Sequence, residues 1–154
     1  MDATQFLETW EIHNRINLYL LDAIAPAALG SWSASKGRNV GEQFAHLHNV
    51  RLMWLKSAAP DLLAGLSKIE KEQATDKILL QQSLINSGGA IKSLLAAAHQ
   101  DGRVKGFKPH VFAFQGYLIS HESHHRGQII LALKQAGHVL DKKILYGIWE
   151  WGVR

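Results

Sequence analysis

PHVFAFQGYLISHESHHRGQIILALKQAG, residues 109–137, is the stretch on which the reading of this chain turns. A proline suited to a first helical position opens it and a glycine closes it, which predicts one long helix from about Pro109 to Gly137. His121 and His125 stand four residues apart, so on a helix they diverge by only about 40° and point the same way. Phe114, Tyr117, Leu118 and Ala132 share that direction, which sends both imidazoles toward the interior of a helical assembly. Two imidazoles so spaced can each put a nitrogen ~2.0–2.1 Å from a single zinc-like cation. Buried without partners they would be costly. A metal, or hydrogen bonds to residues such as His13, Asn17 or Gln128, resolves that cost.

Working outward, residues 4–25 have helical composition, with Asp2 or Thr4 as the cap and Phe6, Trp10, Leu20, Leu21 and Ile24 on one face. His13 and Asn17 fall on that same apolar face, where they either bond neighbouring helices or line a polar pocket. Pro26 and the Gly/Ser-rich residues 30–37 read as a loop. Asn39 then caps a second helix that runs to about residue 58, just before Pro60, with Val40, Phe44, Leu47, Trp54 and Leu55 as its apolar positions. Residues 59–75 are less regular, and the charged run 68–72 reads as a solvated crossover. A third helix is expected over 76–99, where Gly88 and Gly89 mark close packing or a kink. Residues 101–106 read as a turn, and residues 139–154 as a short segment covering one end. No stretch alternates polarity as a strand ladder would. The expectation is an all-α four-helix bundle, one domain over 1–154, without internal repeats.

Composition supports a packed core. Hydrophobic residues make up 47% of the 154 and charged residues 19%, which excludes a disordered tail, since such segments lack the apolar surface that offsets ordering entropy. No apolar run approaches the ~18 residues that crossing a bilayer requires. The opening Met-Asp-Ala-Thr has no basic region followed by an apolar one, so a cytoplasmic protein without membrane association is expected. Cysteine is absent, which removes disulfides, thiolate ligands and cysteine nucleophiles. The formal charge of +4 is spread without a basic stripe interleaved with aromatics, so no nucleic-acid partner is expected. Nine histidines are the unusual figure, because imidazole binds metals and titrates near neutrality.

A third ligand is needed, and the second helix offers His46 and His48. The helical wheel favours His48, nearer Phe44 and Leu55, while His46 lies toward Glu42 and Asn49. Residues 121–125 also spell His-Glu-x-x-His, the zinc-metalloprotease pattern with glutamate as general base. The longer form of that pattern fails, because Leu131 stands where a third histidine belongs. Glu122, about 100° round the helix from His121, reads as a solvated residue or one supporting the ligands. His124 reads as packing or an interface residue, and Arg126 as facing solvent.

The run from Val40 through His46 to Trp54 resembles the second helix of the DinB/YfiT-like metalloenzymes. The run His121-Glu-Ser-His-His125-Arg-Gly-Gln128, followed by Leu133 to Gly137, is similar to their fourth-helix segment. The resemblance implies a bundle with up-down-down-up connectivity and commonly a homodimer. It implies a divalent metal (zinc, nickel or iron) on three histidines: His121 and His125 match the pair and His46 the second-helix ligand, with His48 as the alternate. It also implies a small-molecule substrate and, by analogy with thiol-dependent S-transferases of the wider family, a low-molecular-weight thiol. A metal-dependent hydrolase and a non-catalytic, dimeric metal-binding stress-response protein are the other readings. The family name implies DNA-damage-inducible expression. Where members commonly carry an acid in the second helix this chain has Arg51, which argues against a proton-transfer role at that position.

Overall fold

The structure, a computed structural model, describes residues 3–154. Its helices are α1 (Ala3–Asp22), α2 (Val40–Ala58), α3 (Lys77–Asp101), α4 (Val111–Gln135) and the short α5 (Lys142–Gly147). Single 3-10 turns lie at Pro26–Gly30, Pro60–Leu63, Lys71–Gln73 and Trp151–Val153. Among the described residues there is no strand, and the four long helices make the expected all-α bundle. None of those helices is long and apolar enough to cross a membrane.

Helix ends follow local chemistry. At α2 the Asn39 side chain accepts the Glu42 N–H (2.8 Å), while the Glu42 carboxylate accepts the Asn39 N–H (2.8 Å), a reciprocal capping box. α4 starts later than its proline implies. His110 is the cap, its Nδ1 accepting the Ala113 N–H at 3.2 Å, because a side-chain acceptor satisfies an orphan donor and proline has none to offer. α1 ends at Asp22, short of residue 25. Lys77 Nζ donates to the carbonyls of Asp22 (2.8 Å) and Ile24 (2.7 Å), placing a cation at that helix C-terminus. Of the two caps expected for α1, Asp2 lies outside the described residues and Thr4 lies inside the first turn.

Two glycines bring segments into close approach. A Cβ on Gly41 would overlap the Ala74 carbonyl, so only glycine lets the 59–76 connection lie against α2 there. A Cβ on Gly88 would strike the Asn14 amide, while α3 continues unbroken through Gly88 and Gly89, so the pair marks close packing and not a break.

Apolar side chains form two clusters with a polar layer between them. One cluster joins Leu20, Leu21 and Ile24 of α1, Val40, Phe44 and Leu47 of α2, Leu80 and Leu84 of α3, and Ile129, Ala132 and Leu133 of α4. The other joins Phe6 and Trp10, Leu52 and Leu55, Ile91, Leu94 and Leu95, and Val111, Phe114 and Leu118. Between the clusters each helix contributes buried polar residues: His13 and Asn17, Arg51, Ser87, Glu122 and Arg126.

Glu122 is the centre of that layer. With 1% of its surface exposed, it is neither solvated nor beside the ligands it adjoins in sequence, which corrects the expectation for it. Its carboxylate accepts from Arg51 Nε (2.7 Å) and Nη2 (2.8 Å), from His13 Nε2 (2.7 Å) and from Asn17 Nδ2 (2.7 Å). Arg51 is itself fully buried, stacks over Trp10 at 5.0 Å, and donates onward to Leu84 O, Ser87 Oγ and Asn14 Oδ1. Arg126 is buried too, contrary to the expectation that it faces solvent. It donates to Asn17 Oδ1 (2.6 Å), Ser123 Oγ (2.8 Å) and His13 Nδ1 (3.3 Å). That last bond fixes the His13 tautomer: Nδ1 accepts and Nε2–H donates to Glu122, so the ring is neutral, in line with burial lowering its pKa. Burial alone would raise the Glu122 pKa, but the charge and hydrogen bonds of Arg51, then the bond from His13, hold it well below the usual carboxylate range.

Glu122→Gln strips the counter-charge from buried Arg51, and breaking a buried pair in this way costs about 3–5 kcal/mol. Because the folded pKa is depressed, the carboxylate's contribution is complete above the unfolded value of 4.5 and is lost as pH falls through the lower folded value. Urea unfolding should therefore show a large gap between parent and variant at pH 7 that narrows at pH 3; equal midpoints at pH 7 contradict the assignment.

Candidate metal centre

α4 presents two polar pairs at i, i+4 spacing, one residue out of phase. Glu122 and Arg126 point into the layer just described, and His121 and His125 point toward α2. Opposite them α2 supplies His46. Nitrogens of His46, His121 and His125 all lie within 4.8 Å of one another. The ring centroids are 4.6 Å apart for His46–His125, 4.7 Å for His121–His125 and 5.3 Å for His46–His121. His125 is buried and the other two rings are half-buried, so the cluster sits at the edge of the bundle with one side accessible.

The donor set fits a divalent cation. His125 Nδ1 donates to Gln43 Oε1 (2.6 Å), which fixes the tautomer and leaves the Nε2 lone pair facing the cluster. That Nε2 is 3.2 Å from His121 Nε2. Two imidazole ligands on a tetrahedral ion with bonds near 2.05 Å have their nitrogens about 3.3 Å apart, so the rings already stand at ligand spacing. His121 Nδ1 is buried without a hydrogen-bond partner among the described residues. All three rings favour the neutral, ligating form. Burial, then the charge of Arg38 and of His121, pushes His46 down to about 4. Burial, then the neighbouring rings of His121 and His46, pushes His125 down to about 4. Burial also lowers His121.

The other expected residues lie elsewhere. His48, which the helical wheel favours, lies two residues beyond His46 and so about 200° round α2 from it. Its Nε2 is 2.8 Å from Ser67 O and its Nδ1 3.1 Å from Ser83 O, so both nitrogens face carbonyls and the ring braces the 59–76 connection against α3. His13 and Asn17 are wholly buried around Glu122 and Arg126 and do not line a pocket with the three rings, because the two ions claim every polar atom they present. Gln128 is exposed at the rim, within hydrogen-bonding reach of His125. His124 is exposed and meets His125 edge to face at 5.1 Å.

Gln43 was not anticipated. Its signal was available: it lies three residues before His46 on α2, and so on the same face. An aromatic wall was missed as well, with Trp54 edge-on to Tyr117 (5.7 Å) and Tyr117 stacked on His121 (6.2 Å). Glu122 cannot act as the base of a His-Glu-x-x-His protease, since its carboxylate is enclosed and held by four donors.

Fold and cluster together define a helical bundle bearing a three-histidine group able to hold a metal ion. The DinB family model matches residues 113–147, from the first turn of α4 through His121 and His125 to the end of α5. The match supports a DinB family protein and falls on the helix that carries two of the three rings. Comparisons with curated proteins and with solved structures give no match.

His46 and His125 shed protons at about 4 in the folded chain against 6.5 in the unfolded one. The stability held in their neutral form is complete above pH 6.5 and is lost as pH falls through about 4. An NMR titration of the imidazoles in metal-free protein should find both rings neutral at pH 5.5; midpoints near 6.5 contradict this environment.

Proposed function

We propose that this chain is a metal-dependent enzyme in which His46, His121 and His125 hold one divalent cation, and that it transfers a group to or from a small thiol. The observation that carries the reading is the convergence of three neutral imidazoles, His121 and His125 at i, i+4 spacing on α4, with His125 oriented through Gln43, and His46 opposite them on α2. Three protein ligands leave an open coordination position, and a cation held there supplies Lewis acidity that lowers the pKa of a thiol or water bound to it. The chain's own residues favour the thiol. Glu122, the acid adjoining the rings in sequence, is locked by four donors and takes no proton. Without a free carboxylate base, a nucleophile that starts near a pKa of about 8.5 is far easier to ionise than water at about 15.7. The absence of cysteine means that the thiol comes from outside the chain.

The same reading takes the helices as up-down-down-up. Its support is the make-up of the two apolar clusters, in which the amino-terminal halves of α2 and α3 meet the carboxy-terminal halves of α1 and α4 in one, and the opposite halves meet in the other.

Elemental analysis of purified protein should find close to one equivalent of zinc, nickel or iron. His46→Ala, His121→Ala and His125→Ala should each lose most of it, His48→Ala should keep it, and Gln43→Leu should weaken affinity about 10–100-fold. With the metal in place, a chromogenic aryl halide and added thiols should give a thioether. Thiol-independent cleavage of an aryl ester would favour the hydrolase, and a folded parent that refuses zinc, nickel and iron would overturn the enzyme reading.

A further inference from the structure

His46 has a second neighbourhood. It also forms part of the wall of a cleft of about 540 Å3, between the first turns of α2 and the 59–76 connection. That volume lies in the range of small-molecule sites. Packing and hydrogen bonds build its walls. Asn49 donates to Ile69 O (3.0 Å) and accepts from Ile69 N–H (2.9 Å), tying the connection to α2 as a strand partner would. At the other end Gly41 admits the Ala74 carbonyl against the helix.

The charges of this cleft are unequal. Arg38, Lys68 and Lys71 line it with Glu42 and Glu70, leaving one positive charge in excess. Both carboxylates are already engaged. Glu42 accepts from the Asn39 N–H and lies 3.8 Å from Lys71, and Glu70 lies 3.3 Å from Lys68. The excess therefore sits on Arg38, which among the described residues has no carboxylate within ion-pair distance. Arg38 is also close enough to the cluster for its charge to oppose protonation of His46 and of His121.

We propose that this cleft binds the carboxylate end of a small organic acid, with Arg38 gripping the carboxylate and the rest of the molecule lying along His46 toward the three rings. The guanidinium fork matches a planar carboxylate with two parallel hydrogen bonds. A single unbalanced charge suits a monoanionic head over a dianionic phosphate, which would press its second charge on Glu42 and Glu70. The site deepens the metal reading: its role as substrate anchor rests on that reading, whereas occupancy by a carboxylate does not.

The test is a titration of isotope-labelled, metal-free protein with butyrate, its neutral isostere butyramide, and inorganic phosphate, followed by amide NMR and repeated on zinc-loaded protein. Butyrate should shift the amides of Gly37, Arg38, Asn49 and Ile69 saturably, with butyramide about tenfold weaker or worse. Arg38→Gln should lose about tenfold in butyrate affinity while its spectrum shows an intact fold, and Lys142→Gln, at a lysine outside the cleft, should bind like the parent. Equal binding of acid and amide, parental affinity in Arg38→Gln, or tighter binding of phosphate overturns the proposal. A protein that takes up zinc but ignores butyrate sinks the carboxylate site alone. One that binds butyrate through Arg38 but takes up no metal sinks the metal reading alone.

Discussion

The forked ion pair between Arg51 and Glu122 is the constraint on which the rest of the molecule depends. Taking both ions out of water costs several kcal/mol each, and their attraction repays this only where geometry is good and the remaining valences are filled. Here they are. Glu122 receives four hydrogen bonds, two of them from Arg51, and Arg51 passes its other donors to Leu84, Ser87 and Asn14. The network therefore touches all four long helices at one level. A buried polar layer can be satisfied in far fewer arrangements than an apolar core, so it specifies rotation and register where leucine packing alone would tolerate alternatives.

For α4 that rotation has a direct outcome. Glu122 and Arg126 are locked toward α1 and α2, and residues one position earlier, His121 and His125, are thereby turned onto the face where His46 waits. The charged pair and the neutral pair share a spacing but differ in fate. The ions are consumed by the fold, while the imidazoles, with protonation suppressed by burial and by one another, keep lone pairs free. The sequestration of Glu122 also shapes the chemistry on offer: the carboxylate beside the rings in sequence is absent from them in space.

Much of this was legible in the chain. The α2 cap could be read from Asn39 and Glu42, and the direction shared by His121 and His125 from spacing alone. The choice between His46 and His48 could not be made from the wheel, because α2 is covered on so wide an arc that His48 is also buried, against Ser67 and Ser83. Glu122 and Arg126 were misread for a related reason. Charged residues outside an apolar stripe are ordinarily solvated, and only the partners contributed by other helices reverse that. A trace of those partners was present: His13 and Asn17 interrupt the apolar face of α1, and two polar groups there need hydrogen-bond partners, which a buried charged group on a neighbouring helix can supply. The proline at 109 misled in a smaller way, since capping by His110 outweighed the preference of proline for a first turn.

The fork also governs how such a sequence can diverge. Neither Arg51 nor Glu122 can drift by itself, since each lone replacement strands a charge in the dry middle of the bundle. A lineage with an acid at position 51 must have reversed or silenced position 122 in the same passage, and adjusted the α1 amide and imidazole that now serve it. Positions 13, 17, 51, 122 and 126 should thus be inherited as a block, independently of positions 46, 121 and 125.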